Sequence, residues 1–265
     1  LILDKHLHHI PWESLPILRS NSVTRLPSIF ALRTAVQTQL QPDSPANVLR
    51  DGIDPQKVFY MLNPSRDLKV SQETLQPLLA AKESWNGLVA ESPTTAHFVS
   101  ALESQNLLLY CGHESGMQYL KSAEVRRARA RAGGCAVWLM GCSSVKLRDH
   151  SEYDPSGMVL TYLVSGSPCV VGNLWNVTSR DLDQATISML NWLDEIPASA
   201  ESLSPPSTMT DAVRQARQAC KLQFINGAAL VTYGLPIRVK PAPVVVVAAK
   251  SAKKIAASAS RNKSA

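Results

Sequence analysis

The feature that most constrains this chain is a set of short runs that are apolar at every position. Val58–Leu62, Leu107–Cys111, Cys135–Met140 and Cys169–Val171 show none of the in–out alternation of a half-solvated strand. Strands of this kind are buried on both faces, and the usual way to bury both faces is a parallel sheet with helices on each side. Helix-like stretches separate the runs, at Ser71–Ala81, Thr94–Glu103, Ala123–Ala132, Pro155–Val164, Ser179–Leu193 and Met209–Leu222. Ser71 reads as an N-cap, and Asp154-Pro155 as a cap with proline in the first turn. A short strand is expected at Gly87–Ala90 and a last one at Leu230–Tyr233. The fold class is therefore α/β, a mostly parallel sheet with helices on both faces.

The architecture says where to look for chemistry. In open α/β sheets, sites form beyond the carboxyl ends of the strands. Leu107–Cys111 runs into Gly112-His113-Glu114, and Cys135–Met140 runs into Gly141-Cys142-Ser143-Ser144. An imidazole beside a thiol can take its proton and later protonate a leaving amine. Either residue alone would read as ordinary packing; together on consecutive strand ends they mark a nucleophile and a base. Backbone N–H groups at Glu114 and Cys142 are placed to stabilise an oxyanion.

Charge and composition narrow the class further. The chain has 265 residues and a net charge of +6. From Pro236 onward it carries seven basic residues and no acidic one, so the remainder is one unit negative. The body offers no nucleic-acid surface of the usual basic kind. We expect a folded domain over residues 1–236 and a flexible basic Ala/Lys/Ser-rich tail over 237–265. No apolar run is long enough to span a bilayer, and no basic segment followed by an apolar one opens the chain. The first residue is Leu1, which reads as a piece of a longer protein. Five cysteines without C-x-x-C spacing suggest reduced thiols and an intracellular setting. Those at 111, 135, 169 and 220 read as core. His6, His8 and His9 lack companions at metal spacing, so no metal is expected. Arg126, Arg127, Arg129 and Arg131 read as a solvated helix face, with recognition of an acidic substrate residue as the alternative.

A family resemblance adds to this. Leu1–His6, Pro11-Trp12-Glu13-Ser14-Leu15-Pro16, Thr24-Arg25-Leu26-Pro27-Ser28 and Phe59–Pro64 occur in order. They are followed by the Gly112-His113 element, Gly141–Ser144, Gly172–Thr178, Arg180-Asp181-Leu182-Asp183 and Tyr233-Gly234-Leu235-Pro236. In these motifs the chain resembles the C-terminal protease domain of separases, caspase-like cysteine proteases of chromosome segregation. The resemblance implies a caspase-like fold, a His113–Cys142 dyad, no cofactor, and cleavage after arginine in the kleisin subunit of cohesin. It implies a carboxylate for that arginine, best matched by Asp183 with Asp181 as the alternative. From the residues alone, either could be a first-turn helix carboxylate beside a Ser179 cap. It also implies a securin-type inhibitor as partner, a helical N-terminal region of the same protein, and residence in cytoplasm and nucleus.

Two departures stand out. Glu114 occupies a position that is usually glycine in the family, and Asn176 one that is often aspartate. Glu114 keeps open the alternative of a catalytically impaired scaffold that binds a securin-type partner. The separation of His113 and Cys142 is also shorter than the roughly 50 residues of caspases proper.

Overall fold

The computed structural model describes residues 1–39, 48–128, 134–196 and 207–240. Its centre is a six-stranded sheet in the order β2-β1-β3-β4-β7-β8. The strands are β1 (Val58–Leu62), β2 (Asn86–Val89), β3 (Leu107–Cys111), β4 (Ala136–Met140), β7 (Cys169–Asn173) and β8 (Leu230–Gly234). All pair in parallel except β8, which runs antiparallel to β7. The apolar runs are explained by two separate cores. Leu107, Leu109, Cys111, Ala136, Trp138 and Met140 face one; Leu108, Tyr110, Val137 and Leu139 face the other. The first core is covered by α3 (Lys69–Ala80), α7 (Ser179–Asp194) and α8 (Met209–Ala219). The second is covered by α4 (Thr95–Ser104), α5 (Ser122–Arg127) and α6 (Met158–Val164). The helices α1 (Ile29–Gln39) and α2 (Val48–Asp51) precede the sheet.

The sequence-derived boundaries differ from the structure in three instructive places. Ser71 is not a cap but a buried residue inside α3. Tyr153–Ser156 is β6, paired with β5 (Arg148–His150) as an antiparallel hairpin, and α6 begins only after Gly157. A proline's fixed φ suits a hairpin strand as well as a helix start, which is why Asp154-Pro155 misdirects. The third concerns the expected tail. Ile237 and Val239 are buried, Ile53 N–H donates to the Arg238 carbonyl at 2.8 Å, and Lys240 N–H donates to that of Ile53 at 2.7 Å. Residues 237–240 therefore belong to the folded body, and residues 241–265 lie outside the described residues. So do Arg129 and Arg131, with the end of the helix expected over Ala123–Ala132.

The N-terminal segment closes the β8 side of the sheet, where an uncovered edge would invite strand addition. Arg25 N–H donates to Thr232 O at 2.8 Å, and Gly234 N–H donates to Arg25 O at 2.9 Å. The Arg25 guanidinium is fully buried and is held by both carboxylate oxygens of Glu13 and by the carbonyls of His8 and Ile10. The Trp12-Glu13 and Thr24-Arg25 motifs are thus the two halves of one buried clamp. Charge-assisted bidentate pairing is what makes such a burial tolerable.

Candidate active site

The register of two strands positions the thiol and the imidazole. β3 and β4 pair from Leu107↔Ala136 through to Cys111↔Met140. His113 and Cys142 therefore both lie two residues beyond matched strand ends, on strands spaced by roughly 4.8 Å. The loops they occupy touch through backbone. A Cβ at Gly141 would stand 2.2 Å from the Glu114 carbonyl oxygen and 2.6 Å from that of Gly112. Only glycine permits that approach. His113 and Cys142 line one cleft of about 160 Å³, walled by Leu68, Ser71 and Leu75 on one side and Leu182, Asp183 and Thr186 on the other.

The Cys142 loop is tied to the segment that follows β7. Ser143 N–H donates to Trp175 O at 3.0 Å, and Asn173 Nδ2 donates to Gly141 O at 3.1 Å. Ser144 Oγ donates to Leu139 O and accepts from Asn173 N–H. The thiol is half-buried, and its Sγ donates to the Val177 carbonyl at 3.2 Å. The imidazole is turned elsewhere: His113 Nε2 is paired with Asp67 Oδ2 at 2.8 Å. Thiol and imidazole share the cleft without a hydrogen bond between them among the described residues.

Asp67 is a site residue that the reading of the sequence missed. It sits in the turn leaving β1, whose last residue is registered with β3 as Leu62↔Cys111. The turn is held by Asn63, which accepts from Leu68 N–H and donates to Gln72. Three adjacent strand ends thus supply Asp67, His113 and Cys142. The strand-end rule that points to the last two applies equally to Asp67 once β1 is paired beside β3, a neighbour relation that the sequence pattern does not carry.

The two aspartates separate cleanly. Asp181 accepts from the N–H groups of Lys221 and Leu222 and from Asn226 Nδ2, all within 3.0 Å. Burial pushes its carboxyl up, but these hydrogen bonds outweigh it and the net direction is down. It anchors the chain after α8 and does not line the cleft. Asp183 does line it. It is buried, and its one protein partner among the described residues is Ser71 Oγ at 2.9 Å. Burial raises its pKa, and the Ser71 hydrogen bond only partly opposes this. Ser179, expected as a cap, is the first residue of α7 instead.

Comparison with known proteins assigns this arrangement to a family. The family model described as "Separin, protease domain" matches residues 1–182, more than two thirds of the chain. Separin of Emericella nidulans is 41% identical over 241 residues, which is 89% of this chain and 11% of that protein. Separin of Mus musculus is 39% identical over 239 residues, again 89% and 11%. The chain belongs to the separin protease-domain family. In three dimensions it is similar to separase in the Saccharomyces cerevisiae separase–securin complex, with a TM-score of 0.76 and 30% identity over 90% of this chain and 16% of that one. Gingipain R, an Arg-specific cysteine proteinase, shares the fold alone, at a TM-score of 0.55 and 12% identity over 82% of this chain and 55% of that one. The chain is thus a protease domain of caspase-like fold, and it spans about a tenth of the length of the separins it matches.

The two departures from the usual separin pattern have structural readings. Glu114 sits at φ 49°, in the left-handed region where glycine is at ease and another residue costs roughly 1 kcal/mol. Its side chain is exposed, and its carboxylate does not line the cleft. The N–H groups of Glu114 and Cys142 donate no hydrogen bond among the described residues, whereas the neighbouring Gly141 and Ser143 N–H groups are taken. Asn176 Oδ1 accepts from Ser143 Oγ at 2.7 Å, a task an aspartate oxygen would do as well.

The other candidates fall into place as packing. Cys111, Cys135, Cys169 and Cys220 are buried free thiols whose pKa values burial pushes up. His8 is buried against Tyr233, with Nδ1 3.1 Å from the phenol oxygen. No cluster of three or more possible metal ligands exists among the described residues. Arg126 and Arg127 are exposed on α5. Trp175 does not line the cleft; its indole donates to Ile225 O at 3.0 Å.

Proposed function

We propose that this domain is a cysteine endopeptidase that cleaves after arginine, with Cys142 as nucleophile, His113 as base and acid, and Asp183 as the carboxylate that receives the arginine. The observation that carries the reading is one cleft containing a thiol, an imidazole and a buried carboxylate with no cationic partner among the described residues. A guanidinium entering such a pocket is favourable only if a carboxylate meets it.

The chemistry follows in order. The Cys142 thiol leaves the Val177 carbonyl and gives its proton to His113, whose imidazolium is stabilised by Asp67. Sulfur attacks the carbonyl carbon after the arginine. The oxygen takes the developing negative charge and is held by the N–H groups of Glu114 and Cys142. The tetrahedral adduct collapses, the C–N bond breaks, and His113 gives the proton to the departing amine. Water then attacks the thioester, releases the acid and returns the thiol. Asp67 acts through His113 as a positioning residue.

In the full-length protein we infer that the substrate is the cohesin kleisin subunit, cut to release sister chromatids at anaphase, in cytoplasm and nucleus. Partners on this reading are a securin-type inhibitor in the substrate groove and the helical N-terminal region. Support comes from separin membership and from the securin seated on the yeast relative. The test is cleavage of a kleisin-derived peptide bearing Glu-x-x-Arg. The wild-type chain should cut it after the arginine, and Cys142→Ser should not. Cleavage retained by the variant would overturn the assignment.

A further inference from the structure

A groove of about 500 Å³ lies between α1 and the end of α6, at the end of the sheet opposite the thiol. Pro168, the residue before β7, is in its wall, whereas Cys142 lies beyond the carboxyl end of β4. Along α1 its floor is made by Ala31, Thr34, Ala35 and Thr38, spaced i, i+3, i+4 and i+7 on one helix face. Phe30 and Val164 stand at its sides, 73% and 79% exposed. No charged side chain lines it among the described residues. One polar atom inside it is unsatisfied. Ser167 is 3% exposed, yet its Oγ has no hydrogen-bond partner among the described residues. An unpaired buried hydroxyl is costly, and so is an apolar groove left to water. The occupant these features call for is uncharged and largely apolar, with a hydrogen-bonding group for one hydroxyl. A stretch of peptide with small aliphatic side chains has that chemistry.

We propose that the groove holds residues 244–249 of this same chain, four valines and two alanines. Two observations favour this segment over a foreign partner. The first is composition: residues 241–249 carry no charge, and the first basic residue after them is Lys250. The second is place. Val239 pairs with Ile53, Lys240 N–H donates to Ile53 O at 2.7 Å, and a Cβ at Gly52 would stand 3.4 Å from Lys240 N. Gly52 directly follows α2, and α2 packs on α1. Lys240 thus stands one helix away from the wall of the groove. Packed helix axes are roughly 8–10 Å apart, and the three residues 241–243 span about 10 Å when extended. Valine side chains suit a floor of alanines and threonines, and the backbone of an extended segment supplies the partner that Ser167 lacks. So short a tether keeps the effective concentration roughly millimolar, and weak docking then suffices. The proposal is independent of the cleft and its chemistry.

The test is photocrosslinking in the full 265-residue chain, with p-benzoylphenylalanine at the exposed position 164 and the products mapped by mass spectrometry. Irradiation should join position 164 to residues 244–249 within one chain, at monomer mass. Val245→Asp/Val247→Asp should cut that product at least about tenfold, because an uncharged apolar groove excludes carboxylates. These two positions lie outside the described residues, so the change leaves every contact given above intact. Thr34→Glu puts a charge on the groove floor at an exposed position and should cause the same loss from the other side. Absence of a crosslink to residues 244–249, or a crosslink indifferent to both variants, overturns the proposal. A product of dimer mass gives the groove to a second copy and overturns it too.

Discussion

Asp183→Asn separates what the pocket does for the substrate from what it does to the fold. The substitution keeps the shape of the side chain and an oxygen for Ser71, and it removes the charge. For the substrate, a guanidinium buried without its carboxylate loses about 3–5 kcal/mol, or roughly 10² to 10³·⁵ in kcat/KM. For the fold the sign is opposite. The carboxyl's pKa is raised by burial, so the unfolded chain ionises first as pH rises, and folding loses stability across that interval and above it. The amide escapes this loss. At neutral pH the variant should therefore melt no lower than wild type, a gain set by how far burial raises the carboxyl in the native protein. The assay pairs thermal melting with kcat/KM for an arginine peptide and for its neutral citrulline analogue. Wild type should prefer arginine by the factor above, and the variant should not. The wild-type preference should fade on acidification at a higher pH than an ordinary carboxylate would give. A variant that keeps the wild-type preference for arginine over citrulline refutes Asp183 as the pocket.

Three further outcomes follow from the same geometry. Asp67→Asn should lower kcat on a peptide substrate by about 10- to 100-fold with little change in KM, because it loosens the imidazole without touching the arginine pocket; steady-state kinetics decide. Gly141→Ala places a Cβ 2.2 Å from the Glu114 carbonyl, so the loops must separate; we expect about 1–3 kcal/mol of destabilisation by denaturant melt and loss of peptide cleavage. Arg25→Ala leaves Glu13 buried and unpaired and should cost about 3–5 kcal/mol, read as a drop in the urea midpoint.

Much of this was legible in the sequence, and physics explains which parts were not. Val58–Leu62 and Leu107–Cys111 have the same ends in sequence and structure, because a strand buried on both faces leaves an unbroken apolar run that glycine or asparagine stops. The rim carrying His113 and Cys142 follows from the strand-end rule alone. Strand neighbours do not, and Asp67 depends on them. The choice between Asp181 and Asp183 is of the same kind. Residues two apart on a helix point about 200° from one another, so one can face the cleft only if the other turns away. Which one does so is decided by the chain after α8, some 40 positions on, where Lys221, Leu222 and Asn226 claim Asp181. The β5–β6 hairpin escaped because its strands are mostly exposed and carry no apolar pattern.

The central claim is that Cys142 is made reactive by His113 across matched strand ends. Labelling with an arginyl-peptide acyloxymethyl ketone, mapped by mass spectrometry, tests it most directly. The account predicts modification at Cys142 and at none of the other four cysteines, slowed at least 100-fold by His113→Ala and blocked by excess arginine peptide. Modification at a different cysteine, or a Cys142 rate indifferent to His113→Ala, contradicts it.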